Sequence, residues 1–594
     1  MISPTPRVPW QITGNHWLTL PCIHPADASI HLLGVVHAGA RAAVEFAGGA
    51  EYADGNSAPL ARIVITIDGV RHTLGTTGIA WERELGWLPV FACRVGDIAI
   101  RGTICAPHGR DADIAGAVIA LSLQSRSTEP LALKLGLEGT LGHRQLRVRT
   151  PGAFTDAHRA SESAGVVVIG GANAQSHLAI AIGGEEGFTA TVEGKSQPSW
   201  LIESDFLLQP AESRETAFYI AAASERDGVM ATLGVLRRRG HRKLIETTRN
   251  ALKSMEPSTG SVVADRLISR NMFFAYFCSV ARALDDAHVY VMRSRLPHNG
   301  RGMTVRDWEA LMWVLPAVQL ADAPFAREVL LRICELHGHS PGAGLHYLDG
   351  SVFEPGFSVE GAAAFPIAVD AYIVHTGDDK VVEDPVLADS LYGAHEDIDA
   401  RRHASLSLYS TEVNPDGSVP AHEHTTHGNA VVALALDVLR HTLDEKTSEK
   451  VPDSAAVRAA VLRHLVDTAG LPKRSFAGSS DLAGKVSAGD EPSASLYWLP
   501  YYDLVGRDDS VYRRTAKRLD LGETDQLLVR CARLVGVDSS AALDWLRRAP
   551  LDNGLAAEFV DMDGRATGNG GDAALSGLLA YSVWYAVHAL GAKI

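Results

Sequence analysis

Two glutamates stand in segments that separate the helix-like stretches of the chain. Glu412 belongs to a turn at residues 409–417, and Glu558 lies in an apolar stretch ahead of a glycine-rich loop. A lone glutamate in apolar surroundings is costly to bury unless it is hydrogen-bonded or functional. Two carboxylates facing one another across a pocket can supply the acid and the base for hydrolysis of a glycosidic bond. We therefore predict that Glu412 and Glu558 form a catalytic pair.

A second group of residues has the chemistry to hold a sugar. Arg306, Asp307 and Trp308 open an apolar helix-like stretch, where the carboxylate could bind hydroxyl groups and the indole could cover a pyranose ring. The alternative is that Asp307 caps the helix and pairs with Arg306. We predict all three as substrate-binding residues.

Five further residues are predicted around the sugar. Glu360 lies in the first turn of a helix, where the helix dipole alone would also favour a carboxylate. His427 and Asn429 belong to a polar loop that leads into a strongly apolar helix. Tyr497 and Trp498 are weaker candidates for the pocket wall, since an aromatic-rich segment is as typical of a core.

Three histidines invite a metal interpretation. His422, His424 and His427 are close in sequence, but the zinc-binding pattern HExxH would need its second histidine at position 426, which is Thr426. We therefore predict histidines that contact sugar or support the fold, with no metal and no cofactor.

The elements that must position these residues change character along the chain. Up to about residue 223, short apolar runs rich in Val and Ile alternate with Gly and Asp-Gly turns, which is typical of antiparallel strands. From about residue 225, apolar residues recur at helical spacing. We predict a β-sandwich domain at residues 1–240, a linker helix region at 241–261 and an all-helical domain at 262–594. The spacing alone predicts these helices after residue 262: 267–284, 307–320, 326–337, 361–375, 429–443, 454–470, 493–505, 511–519, 523–535, 540–548 and 572–590.

The composition of the chain argues against some classes of binding partner. The 594 residues carry a formal charge of −15 and gather no basic stretch, which argues against nucleic acid or anionic lipid. No run reaches the ~18–20 apolar residues of a membrane span, and the N-terminal segment lacks an apolar signal-peptide core. The six cysteines form no CxxC pair, so we expect reduced thiols. These features favour a soluble cytoplasmic protein, and its large acidic surface is compatible with a homodimer.

Four short motifs together resemble the six-hairpin glycosidases, and the patterns are similar to those of bacterial glucoamylase-like and glycogen-debranching-like enzymes. The motifs are Arg306-Asp307-Trp308, the turn Tyr-x-x-Glu ending at Glu412, the loop His424-Thr425-x-His427-x-Asn429 and the segment Gly-Leu-x-x-Glu ending at Glu558. The resemblance implies a multidomain β + α protein, in which an N-terminal antiparallel supersandwich-like domain precedes an (α/α)6 barrel. It also implies that Glu412 is the general acid and Glu558 the base, without a metal. Thr411 and Phe559 depart from the glucoamylase pattern, so the resemblance does not fix the sugar.

The expected function is therefore inverting hydrolysis that releases a terminal sugar from an oligosaccharide or glycoside. An acid that acts near neutral pH needs a raised pKa, so Glu412 should have apolar or anionic surroundings, whereas Glu558 should stay ionised. Inversion requires about 6.5–9.5 Å between the two carboxyl groups, which leaves room for the attacking water.

Three alternatives remain open from the sequence. A polysaccharide lyase would abstract a proton beside a uronate carboxylate, using the histidines with Asn429 and arginines such as Arg293, Arg295 and Arg301. A glycoside phosphorylase would replace the base with a phosphate site beside Glu558. A carbohydrate-binding protein without activity is the non-enzymatic alternative.

Overall fold

The computed structural model describes most of the chain in two compact units. The first unit comprises Met1–Glu256, Val280–Val289 and Arg295–Met303, and the second comprises Pro257–Ser279, Tyr290–Ser294 and Thr304–Ile594. The structure describes residues 10–49, 57–141, 143–147, 151–153, 157–172, 177–194, 197–297, 299, 302–466, 474–520, 526–537 and 539–592.

The first unit is built from three antiparallel sheets, as the alternating sequence pattern predicts. The six-stranded sheet has the order Gln11–Gly14, Leu18–Ile23, Ile30–His37, Ala42–Ala47, His143–Arg147 and Pro151–Ala153. The eight-stranded sheet has the order Ala157–Ser163, Val166–Ala172, His177–Gly184, Ser213–Ala223, Gly116–Ser125, Ile98–Cys105, Leu88–Val95 and Ala80–Glu84. The five-stranded sheet has the order Thr189–Glu193, Ser199–Leu208, Leu131–Thr140, Arg62–Ile67 and Val70–Thr73.

One apolar core joins these three sheets. Phe46, Ile63 and Phe91 come from the three different sheets and belong to the same buried cluster. Successive side chains of a strand point to opposite faces, so Ile119 faces this core while Val118 faces away from it. The prediction of an antiparallel, β-rich N-terminal part is therefore confirmed.

Two helices close the second face of the eight-stranded sheet. Arg226–Arg239 buries Val229, Leu233 and Leu236 in an apolar cluster that also contains Val118. His241–Met255 follows after Gly240, whose φ of 73° suits the sharp change of direction between the helices. Both helices belong to the first compact unit.

The second unit is mainly helical, in agreement with the predicted change of period. Its α-helices are Val262–Cys278, Leu315–Ala321, Ala323–His337, Val359–Thr376, Pro385–Asp399, Thr426–Thr442, Glu445–Ser448, Ser454–His464, Ser510–Leu519, Leu527–Gly536, Ser539–Arg548 and Ala573–His588. A π-helical segment, Glu309–Val314, leads directly into Leu315–Ala321, and the 3₁₀ turns are Asp379–Glu383 and Ser495–Trp498.

Some of these helices are buried over most of their length and therefore occupy the interior of the unit. Val262–Cys278 and Ala573–His588 pack directly against each other, and Val359–Thr376 packs against Thr426–Thr442. Polar side chains line the outer face of Ser510–Leu519, which is strongly amphipathic.

The sequence missed the helices Pro385–Asp399 and Glu445–Ser448 and overextended others, such as the one predicted at 493–505. Pro385–Asp399 was not predicted, because Gly393 and six acidic or polar residues obscure its apolar face. The helix predicted at 493–505 is only the turn Ser495–Trp498, since Pro492 and Pro500 bracket it and proline blocks helix continuation.

Short strands lie within the loops that connect the helices of the second unit. Val305–Arg306, Gly344–His346 and Val352–Pro355 form one small sheet, and Ala557–Val560 pairs with Ala566–Gly571 in another. A third consists of His424–Thr425, Ser479–Ser480 and Val486–Ser487, and the remaining strands are Val280–Arg282 and Val289–Val291.

The described residues contain neither a helix suited to cross a membrane nor a disulfide. Among the described residues, no helix combines the length and the apolarity needed to cross a membrane. All six cysteines lie in the described part, where none forms a disulfide and five are buried.

Candidate functional site

An aromatic-walled cavity lies within the helical unit. It brings together three of the predicted sugar-binding residues, Trp308, His427 and Trp498, although they are far apart in the chain. Its full lining is Trp308, Met312, Trp313, Pro415, Asp416, His427, Pro492, Ser493, Ser495, Trp498, Tyr501, Tyr502, Leu528, Leu578 and Tyr581.

The aromatic rings of this cavity hold one another in place. The Tyr502 ring packs edge-on against His427 at 5.4 Å and lies 6.3 Å from Trp308. Tyr501 contacts both Tyr502 and Trp498, and its hydroxyl lies 3.1 Å from that of Tyr581. Such a concentration of aromatic faces with a few polar edges suits a pyranose ring, whose C–H faces are apolar and whose rim is polar.

Glu360 lies behind the cavity and supports His427. Its side chain is fully buried, with Oε1 3.4 Å from His427 Nδ1 and also 3.4 Å from the Thr425 hydroxyl oxygen. Its Oε2 accepts a hydrogen bond from the Ser358 hydroxyl at 3.2 Å. Glu360 therefore acts through His427, which it orients toward the cavity.

Asp416 is the carboxylate that lines the cavity. The Asp416 side chain accepts hydrogen bonds from the backbone N–H and hydroxyl of Ser418, which fixes the tight turn at its start. The next residue, Gly417, has φ of 86°, and a Cβ there would collide with the Arg306 guanidinium. Arg306 is buried and lies 3.7 Å from Glu354, so the predicted sugar-binding arginine supports the turn that carries Asp416.

Asp490 is a second acidic group beside this wall. Burial raises the pKa of Asp490 to about 6, although hydrogen bonds from the Leu496 N–H and the Ser495 hydroxyl partly offset the effect. Since Ser495 itself lines the cavity, a carboxyl group that titrates near neutral pH lies one hydrogen bond away from the cavity surface.

The structure contradicts the expected environment of Glu412. The Glu412 side chain is 53% exposed and does not line the cavity. Its carboxylate accepts hydrogen bonds from the Phe357 N–H at 3.0 Å and from Arg401 at 2.8 Å. These two donors, the backbone N–H first, lower the pKa of Glu412, whereas the sequence reasoning required a raised one. The expectation was wrong because Arg401 and the Phe357 N–H come from other parts of the chain.

Glu558 also lies outside the cavity lining. It is an exposed residue of the strand Ala557–Val560 and acts electrostatically on the buried Arg293. Burial disfavours the charge of Arg293, but Asp572, Glu309 and Glu558 more than offset this and raise the pKa of Arg293. The arginine lies 5.8 Å over the Trp313 ring, which does line the cavity.

Two predicted sugar ligands are occupied by the protein itself. Asn429 is fully buried, donates to the carbonyls of Tyr409 and Thr425, and accepts from the Tyr409 N–H. Asp307 is 2% exposed and is directed toward two histidines and the Gly342 N–H. Both side chains support loops, since neither has an oxygen that faces the cavity.

Tyr497 and Arg295 do not line the cavity. Tyr497 lines a different surface depression, beside Tyr512 and Arg533. Arg295, one of the cations that the lyase alternative needs, donates to the backbone carbonyls of Asn15 and His16. Arg301 lies outside the described residues.

His427 and His424 of the polar loop each lie near a glutamate. His427 faces Glu360, and His424 Nδ1 lies 3.7 Å from Glu423. Among the described residues, the clusters with metal-binding geometry do not include His422, His424 or His427.

With the geometry in place, comparison with solved structures identifies the fold. The chain folds like bacterial glucoamylase. A bacterial glucoamylase bound to acarbose matches 100% of this chain and 96% of its own length, with a TM-score of 0.61 and 9% identity. A putative kojibiose phosphorylase from human microbiome matches 97% of this chain and 86% of its own, with a TM-score of 0.59 and 11% identity. The resemblance to six-hairpin glycosidases is confirmed at the level of fold.

Comparisons by sequence give no such relatives. No known protein family matches the chain, and no curated protein is similar to it in sequence. The residues of the cavity must therefore be interpreted from their own geometry.

Sequence reasoning missed several residues of the cavity wall. Tyr502 and Tyr581 come from the segment after the cis peptide Glu491-Pro492 and from the last helix, which the sequence does not connect. Trp313 follows Trp308 by five residues, and the π-helical turn Glu309–Val314 places both on the cavity. The available signal was the density of Trp and Tyr in these two segments. Asp416 was visible only as part of a polar turn.

Proposed function

We propose that this protein is a glycoside hydrolase that releases a terminal sugar by an inverting mechanism. In this proposal the helical unit is an (α/α)6 barrel, and the aromatic-walled cavity holds the terminal sugar. The observation that carries the proposal is that Trp308, His427 and Trp498, predicted separately as sugar contacts, converge on one cavity.

The arrangement of the helices supports the barrel. Apolar helices such as Val262–Cys278 and Ala573–His588 are buried inside the unit, while amphipathic helices such as Ser510–Leu519 present a polar face. An inner and an outer ring of paired helices has this alternation. The glucoamylase-like fold adds to it.

Glu412 and Glu558 remain the proposed acid and base. Glu412 lies at the start of the loop that delivers Pro415 and Asp416 to the cavity. In the free protein Arg401 and the Phe357 N–H favour the ionised carboxylate, so Glu412 must lose these donors to hold a proton. Asp416 is the competing acid, since it already lines the cavity.

The first test is turnover by Glu412→Gln, Glu558→Gln and Asp416→Asn on a panel of aryl glycosides and oligosaccharides. Each true proton-transfer residue should lower kcat by about 10²–10⁴-fold, because the amide cannot exchange the proton. The matched control is Glu423→Gln, which removes an exposed carboxylate from the same loop region. Unchanged turnover in both glutamate variants would reject the pair, and a loss confined to Asp416→Asn would move the acid role to that residue.

A second test uses the pH profile. Arg401→Gln removes a donor that lowers the pKa of Glu412, so the alkaline limb of kcat/KM should move to higher pH if Glu412 is the acid. Arg402→Gln alters the adjacent arginine and should leave that limb in place. Identical profiles for wild type and Arg401→Gln would contradict the assignment.

Product analysis separates hydrolysis from the other reactions. NMR of the first product formed reports inversion or retention at the anomeric carbon. A phosphorylase would require inorganic phosphate for turnover, and a lyase would form an unsaturated sugar that absorbs in the near ultraviolet. The phosphate-dependent and unsaturated-product outcomes each reject the hydrolase proposal.

The cellular context is part of the same proposal. A cytoplasmic location is supported by six cysteines that form no disulfide, because oxidising compartments favour disulfides. A homodimer stays a proposal based on the large acidic surface of the chain. The carbohydrate is the proposed partner, with no nucleic acid or membrane.

A further inference from the structure

Three buried polar side chains meet in the interior of the helical unit. Asp307 precedes the π-helical turn, His337 is the last residue of the helix Ala323–His337, and His346 ends the strand Gly344–His346. Their exposures are 2%, 2% and 1%. Three separate segments of the helical unit thus bring two imidazoles and a carboxylate together in its interior.

The spacing of these three side chains is that of ligands around one ion. Asp307 Oδ1 lies 3.2 Å from His337 Nδ1 and 3.4 Å from His346 Nε2. All three ligand atoms lie within 4.8 Å of one another. Tetrahedral zinc with bonds of about 2.0–2.2 Å holds its ligand atoms roughly 3.3–3.5 Å apart. The distance from the carboxylate oxygen to each imidazole nitrogen therefore matches the separation between two ligand atoms of one zinc ion.

The surroundings fix the orientation that a ligand needs. His346 Nδ1 lies 3.0 Å from the Gly350 carbonyl, to which it donates, and Asp307 Oδ2 accepts from the Gly342 N–H at 2.8 Å. A metal-binding histidine typically donates its other ring N–H to a carbonyl or carboxylate in this way. That bond leaves the lone pair of Nε2 directed at Asp307.

The Nε2 atom of His346 gives an independent indication of a bound ion. It is buried and has no hydrogen-bond partner among the described residues. In a neutral ring, the lone pair of this nitrogen and the carboxylate oxygen of Asp307 at 3.4 Å repel each other, so either a proton or a metal cation must stand between them. A divalent ion would satisfy both atoms at once.

We propose that Asp307, His337 and His346 bind a divalent transition-metal ion of the zinc class. Two imidazole nitrogens with one carboxylate favour zinc over magnesium or calcium, which prefer oxygen ligands. The ion would tie the segment carrying Arg306 to the end of Ala323–His337 and to the strand Gly344–His346. Its role is structural, since all three ligands are buried and none lines the cavity.

The experiment measures metal content in the full-length protein. The protein is stripped with a chelator, loaded with Zn²⁺ or Co²⁺, passed through gel filtration and assayed by mass spectrometry for bound metal. We expect about one equivalent per chain, and the visible spectrum of tetrahedral Co²⁺ without a thiolate band. We also expect Zn²⁺ to raise the Tm of the stripped protein in proportion to the logarithm of its concentration.

Variants assign the ion to this site. His337→Ala, His346→Ala and Asp307→Asn should each weaken Zn²⁺ binding by at least about tenfold, since even outer-shell changes cost 10–100-fold. His339→Ala is the matched control, because this exposed histidine lies two residues from His337. Asp113→Asn serves as the control for a second cluster, formed by His16, His108 and Asp113.

The outcomes are decisive in both directions. Loss of the equivalent in the three site variants, with retention in both controls, supports the proposal. A wild-type protein that binds no metal overturns it and leaves an imidazolium–carboxylate pair as the explanation of the cluster. Metal retained by His346→Ala or lost in Asp113→Asn also overturns it. The wild-type measurement stands even if a variant fails to fold, which circular dichroism would report.

Discussion

Arg293→Met tests how much the buried ion pairs of Arg293 stabilise the helical unit. Arg293 is 4% exposed and pairs with Glu309 at 2.5 Å and with Asp572 at 2.7 Å. The substitution keeps the apolar stem but removes the guanidinium that pairs with both buried carboxylates. Removing one partner of a buried ion pair costs about 3–5 kcal/mol. Asp572 also caps the last helix through the Leu575 N–H, so we expect the start of that helix to loosen.

The assay is thermal and urea unfolding of the full chain. At roughly 2 °C per kcal/mol for a unit of this size, the expected loss lowers the Tm of the helical unit by about 6–10 °C. The matched control is Arg547→Met, which breaks an exposed pair with Asp544 and should change stability by at most about 1 kcal/mol. Equal stability of the two variants would refute the reasoning.

A double variant tests whether the lost stability comes from buried charge. Arg293→Met combined with Glu309→Gln removes one of the two buried carboxylates that pair with Arg293, so part of the lost stability should return. If the double variant is instead as unstable as the sum of the two single variants, the cost does not come from buried charge.

Three further predictions concern the cavity and its supports. Asp490 has a pKa raised to about 6, so its ionisation should remove up to about 3 kcal/mol of stability as the pH rises from about 4 to 7, and Asp490→Asn should abolish this part of the pH dependence of urea unfolding. Trp498→Leu should weaken binding of a neutral oligosaccharide about two- to tenfold in calorimetry, whereas Trp584→Leu on the last helix, outside the cavity lining, should leave the affinity unchanged. Gly417→Ala and Gly377→Ala both place a side chain at positive φ, but only Gly417 has a guanidinium in the way, so its variant should lose more than the roughly 1 kcal/mol expected at Gly377 by urea unfolding.

The regular elements were largely predictable because their signals are local. The short apolar runs before about residue 223 form strands such as Gly116–Ser125, and the predicted helix at 326–337 lies within Ala323–His337. Period-2 and period-3.6 patterns arise from which face of each element is buried, so they are written in the sequence. Errors occurred where proline or scattered polar residues hid the pattern, as at 493–505 and Pro385–Asp399.

The candidate site was only partly predictable. Trp308, His427 and Trp498 were chosen by residue type, and they do meet in the cavity. Asp307 and Asn429 were also chosen by residue type, but both bind other parts of the protein. Asp307 faces two histidines, and Asn429 binds two backbone segments. No spacing in the sequence connects these partners to the two residues. The cluster of Asp307 with His337 and His346 was invisible for the same reason.

The sequence by itself determined the two-part architecture and the residue types available for sugar chemistry, because burial patterns and side-chain chemistry are properties of short segments. The tertiary structure alone decided which carboxylates stand in a cavity, in solvent or beside a cation. Arg401 and the Phe357 N–H reach Glu412 from distant segments, and the charge state of a carboxyl group depends on those neighbours and on its burial.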